Sequence, residues 1–161
     1  MPEPTNTEFP PTLGMRAALI AASKIGLREE GGANKGPIVL WSTRDLTKAR
    51  EGGKWCAYFA WQCFLQAAQT PDQRALVRGL ASGSCSATYG RLRGLQWHIK
   101  VPVPGCMIFF AQKDLIYHLG IVEKVDAAGV HVISGNSGDK VAAHIYPLTH
   151  GTIHAYAEVR L

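Results

Sequence analysis

Four cysteines are the residues of this sequence best suited to nucleophilic chemistry, and Cys56 has the most favourable setting. Gly52 and Gly53 end one segment, and the apolar residues that follow recur at helical spacing, which predicts a helix over about 55–69. Cys56 then falls in the first turn, where unpaired backbone N–H groups and the positive end of the helix dipole stabilise a thiolate over a thiol. The alternative role is a small buried hydrophobe, which is commoner for a cysteine beside an apolar run.

A nucleophilic cysteine needs a base, and His118 is the best placed of six histidines. It stands at the start of a predicted strand, and Gly120, two residues on, lies on the same face of that strand. A missing side chain at Gly120 would let the Cys56 helix approach the sheet closely. The alternative is that His118 is a partly exposed polar residue at a strand start.

The base in turn needs an orienting group, for which Asn136 is the candidate. A hairpin turn is predicted at 126–129, and counting back across it brings residues 133–138 opposite the His118 end of the preceding strand. The side-chain oxygen of Asn136 could accept a hydrogen bond from the imidazole and fix its tautomer. The alternative is a plain Asn-Ser-Gly turn. The three residues together are more specific than any one of them.

The elements that must position these residues follow an α+β order. Helices are predicted first, over about 13–27, a short segment from Pro37, 55–69 and a short segment after Thr70, with 85–96 helical or irregular. From Val101 onward, prolines, turns and short apolar runs predict strands as far as Arg160. This order indicates N-terminal helices packed on a small antiparallel β-sheet.

Composition limits the class of protein. A chain of 161 residues suits one domain with its own core, and four early prolines predict a flexible arm over 1–11 before a single domain over 12–161. The net charge of +5 suits an anionic partner, such as a nucleic acid, a membrane surface or a bacterial cell wall. The basic residues are scattered and no reading module is recognisable, so nucleic-acid binding is not expected.

The remaining cysteines and the N-terminal residues exclude further classes. No CxxC pair or zinc-type spacing occurs, so we expect no metal site, and a domain of this size needs no disulfide framework. The polar, proline-rich N-terminal stretch has neither the basic start nor the apolar run of a signal peptide. No later stretch is predicted to span a membrane.

Four motifs, in this order along the chain, resemble the CHAP family (cysteine, histidine-dependent amidohydrolase/peptidase) of the NlpC-type, papain-like superfamily. They are Trp55-Cys56-Ala57-Tyr58-Phe59, Pro104-Gly105-Cys106-Met107-Ile108-Phe109-Phe110, His118-Leu119-Gly120-Ile121-Val122 and Gly135-Asn136-Ser137-Gly138. A block from Asn34 to Val39 is similar to the segment that precedes the nucleophile in many CHAP proteins. The resemblance covers roughly 13–145. Two residues depart from the family pattern, because Cys106 replaces a common aspartate and Cys63 is unusual and expected in the core.

The resemblance implies a papain-like fold and hydrolysis of an amide bond in peptidoglycan, as in a cell-wall amidase, an endopeptidase or an endolysin. Cys56 would be the nucleophile, His118 the base and Asn136 the orienting residue, and no cofactor is required. Candidate substrate contacts are Trp55, Trp97 and Asn34, for which core packing of the tryptophans and a solvated turn at Asn34 are the alternatives.

Two other interpretations stay open. One is a secreted antibacterial effector or a papain-like thiol enzyme that acts on another amide or acyl group. The other is a catalytically silent phage structural or wall-binding module. The expected partner is bacterial peptidoglycan and the expected state a monomer, with an immunity or particle partner left open. We expect synthesis in the cytoplasm and action in the periplasm or cell wall, after lysis or specialised export.

Overall fold

The structure is a computed structural model, and it describes residues 10–161. Within this range five helices precede six strands, which confirms the predicted α+β fold. The helices are α1 (Leu13–Ser23), α2 (Pro37–Thr43), α3 (Cys56–Ala67), α4 (Pro71–Leu80) and α5 (Cys85–Gly94). The strands are β1 (His98–Ile99), β2 (Met107–Gln112), β3 (Leu115–Asp126), β4 (Gly129–Ser134), β5 (Ala142–Tyr146) and β6 (Ile153–Ala157). Most of the predicted arm over 1–11 lies outside the described residues.

Side-chain caps and glycines set the helix ends. The Thr12 hydroxyl accepts a hydrogen bond from the backbone N–H of Met15 at 3.1 Å, as the sequence predicts for the start of α1. This helix ends at Ser23, earlier than predicted, because the chain turns at Gly26, whose φ of 92° is left-handed. The Gly26 N–H donates to the carbonyl of Val141 and so joins the end of α1 to the sheet side of the molecule. None of the helices within 10–161 has the length and apolar character needed to cross a membrane.

All strand pairs in the sheet are antiparallel, in the order β1-β6-β2-β3-β4-β5. Strands β2 to β5 form the predicted meander, and β6 returns to pair with β2. The turn between β3 and β4 falls at Asp126–Gly129, as predicted, and Ile121 pairs with Ile133 across this hairpin. This register carries the start of β3 towards the segment that follows β4.

Helix α3 is the centre of the main core. Ten of its twelve residues are buried, because α1, α2 and α4 pack around it and β3 lies against it. Trp61 and Phe64 of the helix share this core with Leu119 and Ile121 of the sheet. A second apolar cluster, which includes Phe110, lies apart from it. The N-terminus of α3 is therefore held in one position by packing on several sides.

Candidate active site

Cys56 is the first residue of α3, in agreement with the predicted position in the first turn. Trp55 occupies the N-cap and makes no side-chain cap, so no side chain satisfies the first backbone N–H groups of the helix in that way. The start of α3 can therefore stabilise negative charge on the Cys56 sulfur or on an atom bound beside it. Although only 4% of Cys56 is exposed, it lines an open cavity.

The segment that precedes α3 is held by the carboxylate of Glu29. One oxygen accepts a hydrogen bond from the indole Nε1–H of Trp55 at 2.9 Å, and the other accepts one from the backbone N–H of Asn34 at 2.9 Å. The Asn34 carbonyl in turn accepts the Gly52 N–H at 2.9 Å. These bonds join the loop after α1 to the residues before Cys56, and they fix where α3 begins.

The three predicted substrate contacts, Trp55, Asn34 and Trp97, lie outside the wall of the cavity that contains Cys56. Trp55 is fully buried, and the only polar group of its side chain is bonded to Glu29, so this side chain does not face the cavity. Asn34 belongs to the turn that the Glu29 carboxylate holds and does not line the cavity. Trp97 is half-buried and packs against the main core. All three contribute to the fold in this structure. The two tryptophans pack against the main core, and the backbone N–H of Asn34 is hydrogen-bonded to Glu29.

Close approach of α3 to the sheet depends on Gly135, which corrects the prediction for Gly120. A Cβ atom on Gly135 would lie 2.7 Å from Cβ of Phe59 and 2.8 Å from the Trp55 ring. At Gly120 a Cβ would instead meet Val132 of the neighbouring strand β4. Gly135, directly before Asn136, is therefore the position at which the absence of a side chain lets α3 come close. This close approach places Asn136 near the start of α3.

His118 is the fourth residue of β3 and is half-buried. It pairs with Phe110 of β2, and the two rings lie 5.8 Å apart between centroids. The neighbouring Tyr117 ring stacks at 6.5 Å from the imidazole. The aromatic side chains limit the positions that the imidazole can take on the wall of the cavity.

Asn136 lies two residues beyond the end of β4, in the loop that leads to β5. Its φ of 52° is left-handed, a conformation that asparagine adopts more readily than most residues. Continuing the Ile121–Ile133 register places residue 136 opposite His118, which is the relation counted from the sequence. Within the described part of the chain, no direct hydrogen bond joins the side chains of Asn136 and His118.

The three predicted catalytic residues share one cavity of about 510 Å³. Residues from α3, β2, β3, β5 and three loops form its wall: Lys54, Cys56, Phe110, Tyr117, His118, Asn136, Ser137, Gly138, Tyr146, His150 and Thr152. Sequence reasoning did not assign Phe110, Tyr117, Tyr146, His150 or Thr152 to the site. They come from segments far apart in the chain, and of these five only Phe110 belongs to one of the motifs. Residues 10–161 contain no cluster of three or more His, Cys, Asp or Glu side chains suited to a metal ion.

A second thiol lies beside the nucleophile candidate. The Sγ atoms of Cys56 and Cys85 are 3.4 Å apart, within hydrogen-bonding distance for sulfur. Cys85 is the first residue of α5, and the Ser84 hydroxyl caps that helix by accepting the N–H of Ala87 at 3.1 Å. The only sequence signal for this residue was the start of a predicted helical or irregular segment, which does not indicate contact with Cys56.

The surroundings of Cys56 favour its thiolate. The hydrogen bond with Cys85 holds the pKa of Cys56 well below its usual range, against the opposing effect of burial. The His118 imidazole and the backbone of Leu119 lower it further. For the same reason the pKa of Cys85 is raised, first by the bond to Cys56 and then by burial. With Cys56 as the thiolate, the S–H of Cys85 is the donor of this hydrogen bond.

A cysteine at the start of a buried helix, with a histidine on an adjoining antiparallel sheet, is an arrangement of thiol-dependent hydrolases. The family model described as the CHAP domain matches residues 48–136, which is more than half of the chain. The protein therefore belongs to the CHAP family, whose members are generally amidases or peptidases associated with peptidoglycan. The matched range contains Cys56 and His118 and ends at Asn136. Among curated proteins, none matches this chain.

Proposed function

We propose that this protein hydrolyses an amide bond in bacterial peptidoglycan, with Cys56 as nucleophile, His118 as acid and base, and Asn136 as orienting residue. The observation that supports the proposal is the position of Cys56 at the uncapped start of α3, on one cavity with the other two residues. Membership of the CHAP family supports the class of substrate.

In the first step the Cys56 thiolate attacks the carbonyl carbon of the amide. The carbonyl π electrons move to oxygen, which becomes negatively charged in the tetrahedral intermediate. The backbone N–H groups at the start of α3 are free of a side-chain cap and lie beside the attacking sulfur, so they can donate to this oxygen. The C–N bond then breaks as protonated His118 gives its proton to the leaving amine.

The second step releases the acyl group. Neutral His118 takes a proton from a water molecule as the oxygen attacks the thioester carbon, and the C–S bond breaks to regenerate the Cys56 thiolate. The carboxylic acid product leaves and the site returns to its starting state. Asn136, which lines the same cavity as His118, holds the imidazole in the orientation that both proton transfers require.

The cavity also fits the proposed substrate in charge and shape. Lys54 at its edge is exposed and positively charged, and the whole chain carries a net charge of +5, which favours a polymer with carboxylates or phosphates. Tyr117 and Tyr146 supply flat apolar surface with a polar end. All three proposed catalytic groups come from one chain, so the proposed reaction requires no second copy, and we propose that the protein acts as a monomer. Its place of action is the periplasm or the cell wall.

Digestion of purified peptidoglycan, followed by mass analysis of the products, tests the proposal. The wild-type protein should release fragments cut at one kind of amide bond, and Cys56→Ala should release none while it keeps the wild-type circular dichroism spectrum. The bond is then assigned from the products, since an amidase separates the stem peptide from muramic acid and an endopeptidase cuts within the stem or cross-bridge. Unchanged peptidoglycan after treatment with reduced, folded wild-type protein would contradict the proposal. It would favour another amide substrate or a silent wall-binding module.

A further inference from the structure

The reaction proposed above uses one thiol, whereas the cavity brings two together. The Sγ atoms of Cys56 and Cys85 are 3.4 Å apart, although the residues are separated by 29 positions in the sequence. Both cysteines are free, and each begins a helix. Hydrolysis needs no second sulfur, so the pair is a feature that the proposed reaction leaves unexplained.

Several contacts hold Cys85 in this position. Gly83, two residues before it, packs against the ring of Tyr58, and a Cβ at Gly83 would collide with that ring. On the other side, the Ser86 hydroxyl donates to the carbonyl of Ile116 in β3. The start of α5 is thus attached both to α3 and to the strand that carries His118. The closeness of the two sulfurs follows from packing of the surrounding elements.

The distance is short enough for a covalent bond after a small movement. A disulfide has a sulfur–sulfur length of about 2.05 Å, so the two atoms must approach by roughly 1.4 Å. Rotation of two short side chains about their Cα–Cβ bonds can supply a movement of that size. Cys85 is partly exposed and Cys56 lines the open cavity, so a small oxidant reaches the pair.

We propose that Cys56 and Cys85 form an oxidation site for hydroperoxides, at which a reversible disulfide blocks the nucleophile. Formation of the disulfide is inferred from the distance between the two sulfur atoms, whereas inhibition by the disulfide rests on the proposed function of Cys56. A disulfide removes the thiolate that attacks the substrate. It also protects Cys56 from further, irreversible oxidation.

The chemistry has two balanced steps. The Cys56 thiolate attacks one oxygen of the hydroperoxide, the O–O bond breaks, and Cys56 becomes a sulfenic acid while the other oxygen leaves as an alkoxide or hydroxide that takes a proton from water. Cys85 then attacks the sulfenic sulfur, the S–O bond breaks, and the departing hydroxide combines with the Cys85 proton as water. The two thiols lose two electrons and the hydroperoxide gains them.

Oxidation of Cys56 also prepares Cys85 for the second step. The hydrogen bond and negative charge of the Cys56 thiolate help to hold the Cys85 proton in place. Conversion of the thiolate to a neutral sulfenic acid removes that charge, and Lys54 continues to favour the Cys85 thiolate. Cys85 is thus a poor nucleophile while Cys56 is ionised and a better one after Cys56 has reacted.

The other two cysteines offer no alternative partner. Cys63, in the middle of α3, is fully buried in the main core, and Cys106 is fully buried in the second apolar cluster. Burial raises the pKa of both thiols, so neither reacts readily with a peroxide. The proposal therefore predicts one disulfide with one connectivity.

Hydrogen peroxide, followed by peptide mapping under non-reducing conditions, tests the proposal. Treated wild-type protein should lose about 2 Da and yield a linked peptide pair that contains Cys56 and Cys85. Labelling of Cys56 by iodoacetamide should stop and return after dithiothreitol. The Cys106→Ala variant is the matched control and should give the same linked peptides.

Cys85→Ser separates the disulfide from simple oxidation of one thiol. In this variant peroxide should convert Cys56 to sulfinic or sulfonic acid, and dithiothreitol should not restore labelling. Cys85→Ala serves the same purpose if the serine variant does not fold, and mapping of the wild-type protein decides the question without either variant.

Irreversible oxidation of Cys56 in the wild-type protein, or reversible protection without a Cys56–Cys85 linkage, would overturn the proposal. These measurements follow thiols and masses and do not depend on peptidoglycan hydrolysis. The linkage can therefore form even if the proposed activity is absent, and hydrolysis can be present without the linkage. Only a protein that has both should lose wall hydrolysis after peroxide and regain it after dithiothreitol.

Discussion

The two cysteines of α3 occupy regions with opposite chemistry. Cys56 begins the helix on the wall of the cavity, and Cys63 lies seven residues later within the core. Their exposed fractions are similar, at 4% and 0%, so lack of solvent contact does not distinguish them. Yet the pKa of Cys56 is lowered, whereas burial raises the pKa of Cys63 well above its usual range.

The difference arises from the polar groups that reach each sulfur. Cys56 has the Cys85 thiol, the His118 imidazole and the backbone of Leu119, and these outweigh the effect of burial. Cys63 has only weak help from the charge of Lys24 and from its own backbone. Burial by itself disfavours a thiolate, and donors aimed at the sulfur reverse that preference. The four predictions that follow test whether this contrast decides function.

The largest effect is expected from alanine at the two cysteines. Cys56→Ala removes the nucleophile and should lower the rate of wall hydrolysis by at least about 10³-fold. Cys63→Ala should leave the rate per folded molecule near that of the wild type and should instead lower the free energy of unfolding by about 1–2 kcal/mol, because it leaves a small cavity. The measurements are turbidity of a peptidoglycan suspension and denaturant unfolding. Equal activity loss in the two variants, both folded, would remove the distinction between the two ends of α3.

The next largest effect is expected at His118. His118→Ala removes the acid and base, which should reduce hydrolysis by about 10²-fold to 10⁴-fold. It should also raise the pKa of Cys56, since the imidazole stabilises the thiolate. His131→Ala is a matched control in the same hairpin, because that residue contacts Asp126 and is not part of the cavity wall. A similar loss of activity in both variants would assign the effect to the hairpin as a whole.

A smaller effect, on stability, is expected at Gly135. Gly135→Ala places a methyl group against Phe59 and Trp55, which should reduce the free energy of unfolding by about 1–3 kcal/mol and displace the start of α3. Gly53→Ala is the control, because a Cβ there meets no atom within 4 Å. Denaturant unfolding of the three proteins compares them. If Gly135→Ala unfolds at the same denaturant concentration as the wild type, the helix does not depend on this contact.

The smallest effect is expected from Cys85→Ala, read as the rate of Cys56 alkylation against pH. Loss of the thiol donor raises the pKa of Cys56, so less thiolate is present under acidic conditions, and alkylation near pH 5 should slow by up to about 10-fold. At alkaline pH the rates of the variant and the wild type should converge, because Cys56 is then ionised in both proteins. Cys85→Ser retains a donor and should recover part of the rate. Superimposable pH profiles for the wild type and Cys85→Ala would show that Cys85 does not act on the ionisation of Cys56.

Local patterns in the sequence were sufficient for the order of the elements. Helical spacing, a capping threonine and the hairpin turn at Asp126–Gly129 act over a few residues, so α1, α3 and the β3–β4 hairpin could be predicted from composition and spacing. The same spacing put Cys56 in the first turn of its helix. The short strand β1 was missed, because two residues carry no periodicity and form a strand only by pairing with β6.

The sequence by itself determined most kinds of elements and the end of the helix at which Cys56 stands, since apolar periodicity and turn residues act over a few positions. Tertiary structure alone decided which distant groups surround that sulfur. It brought Cys85 to 3.4 Å from Cys56, buried Trp55 against Glu29 and placed Gly135, not Gly120, as the glycine directly against α3. These relations depend on how helices and strands pack in space, and the pKa of a thiol responds to all neighbours within a few ångströms, whatever their separation along the chain.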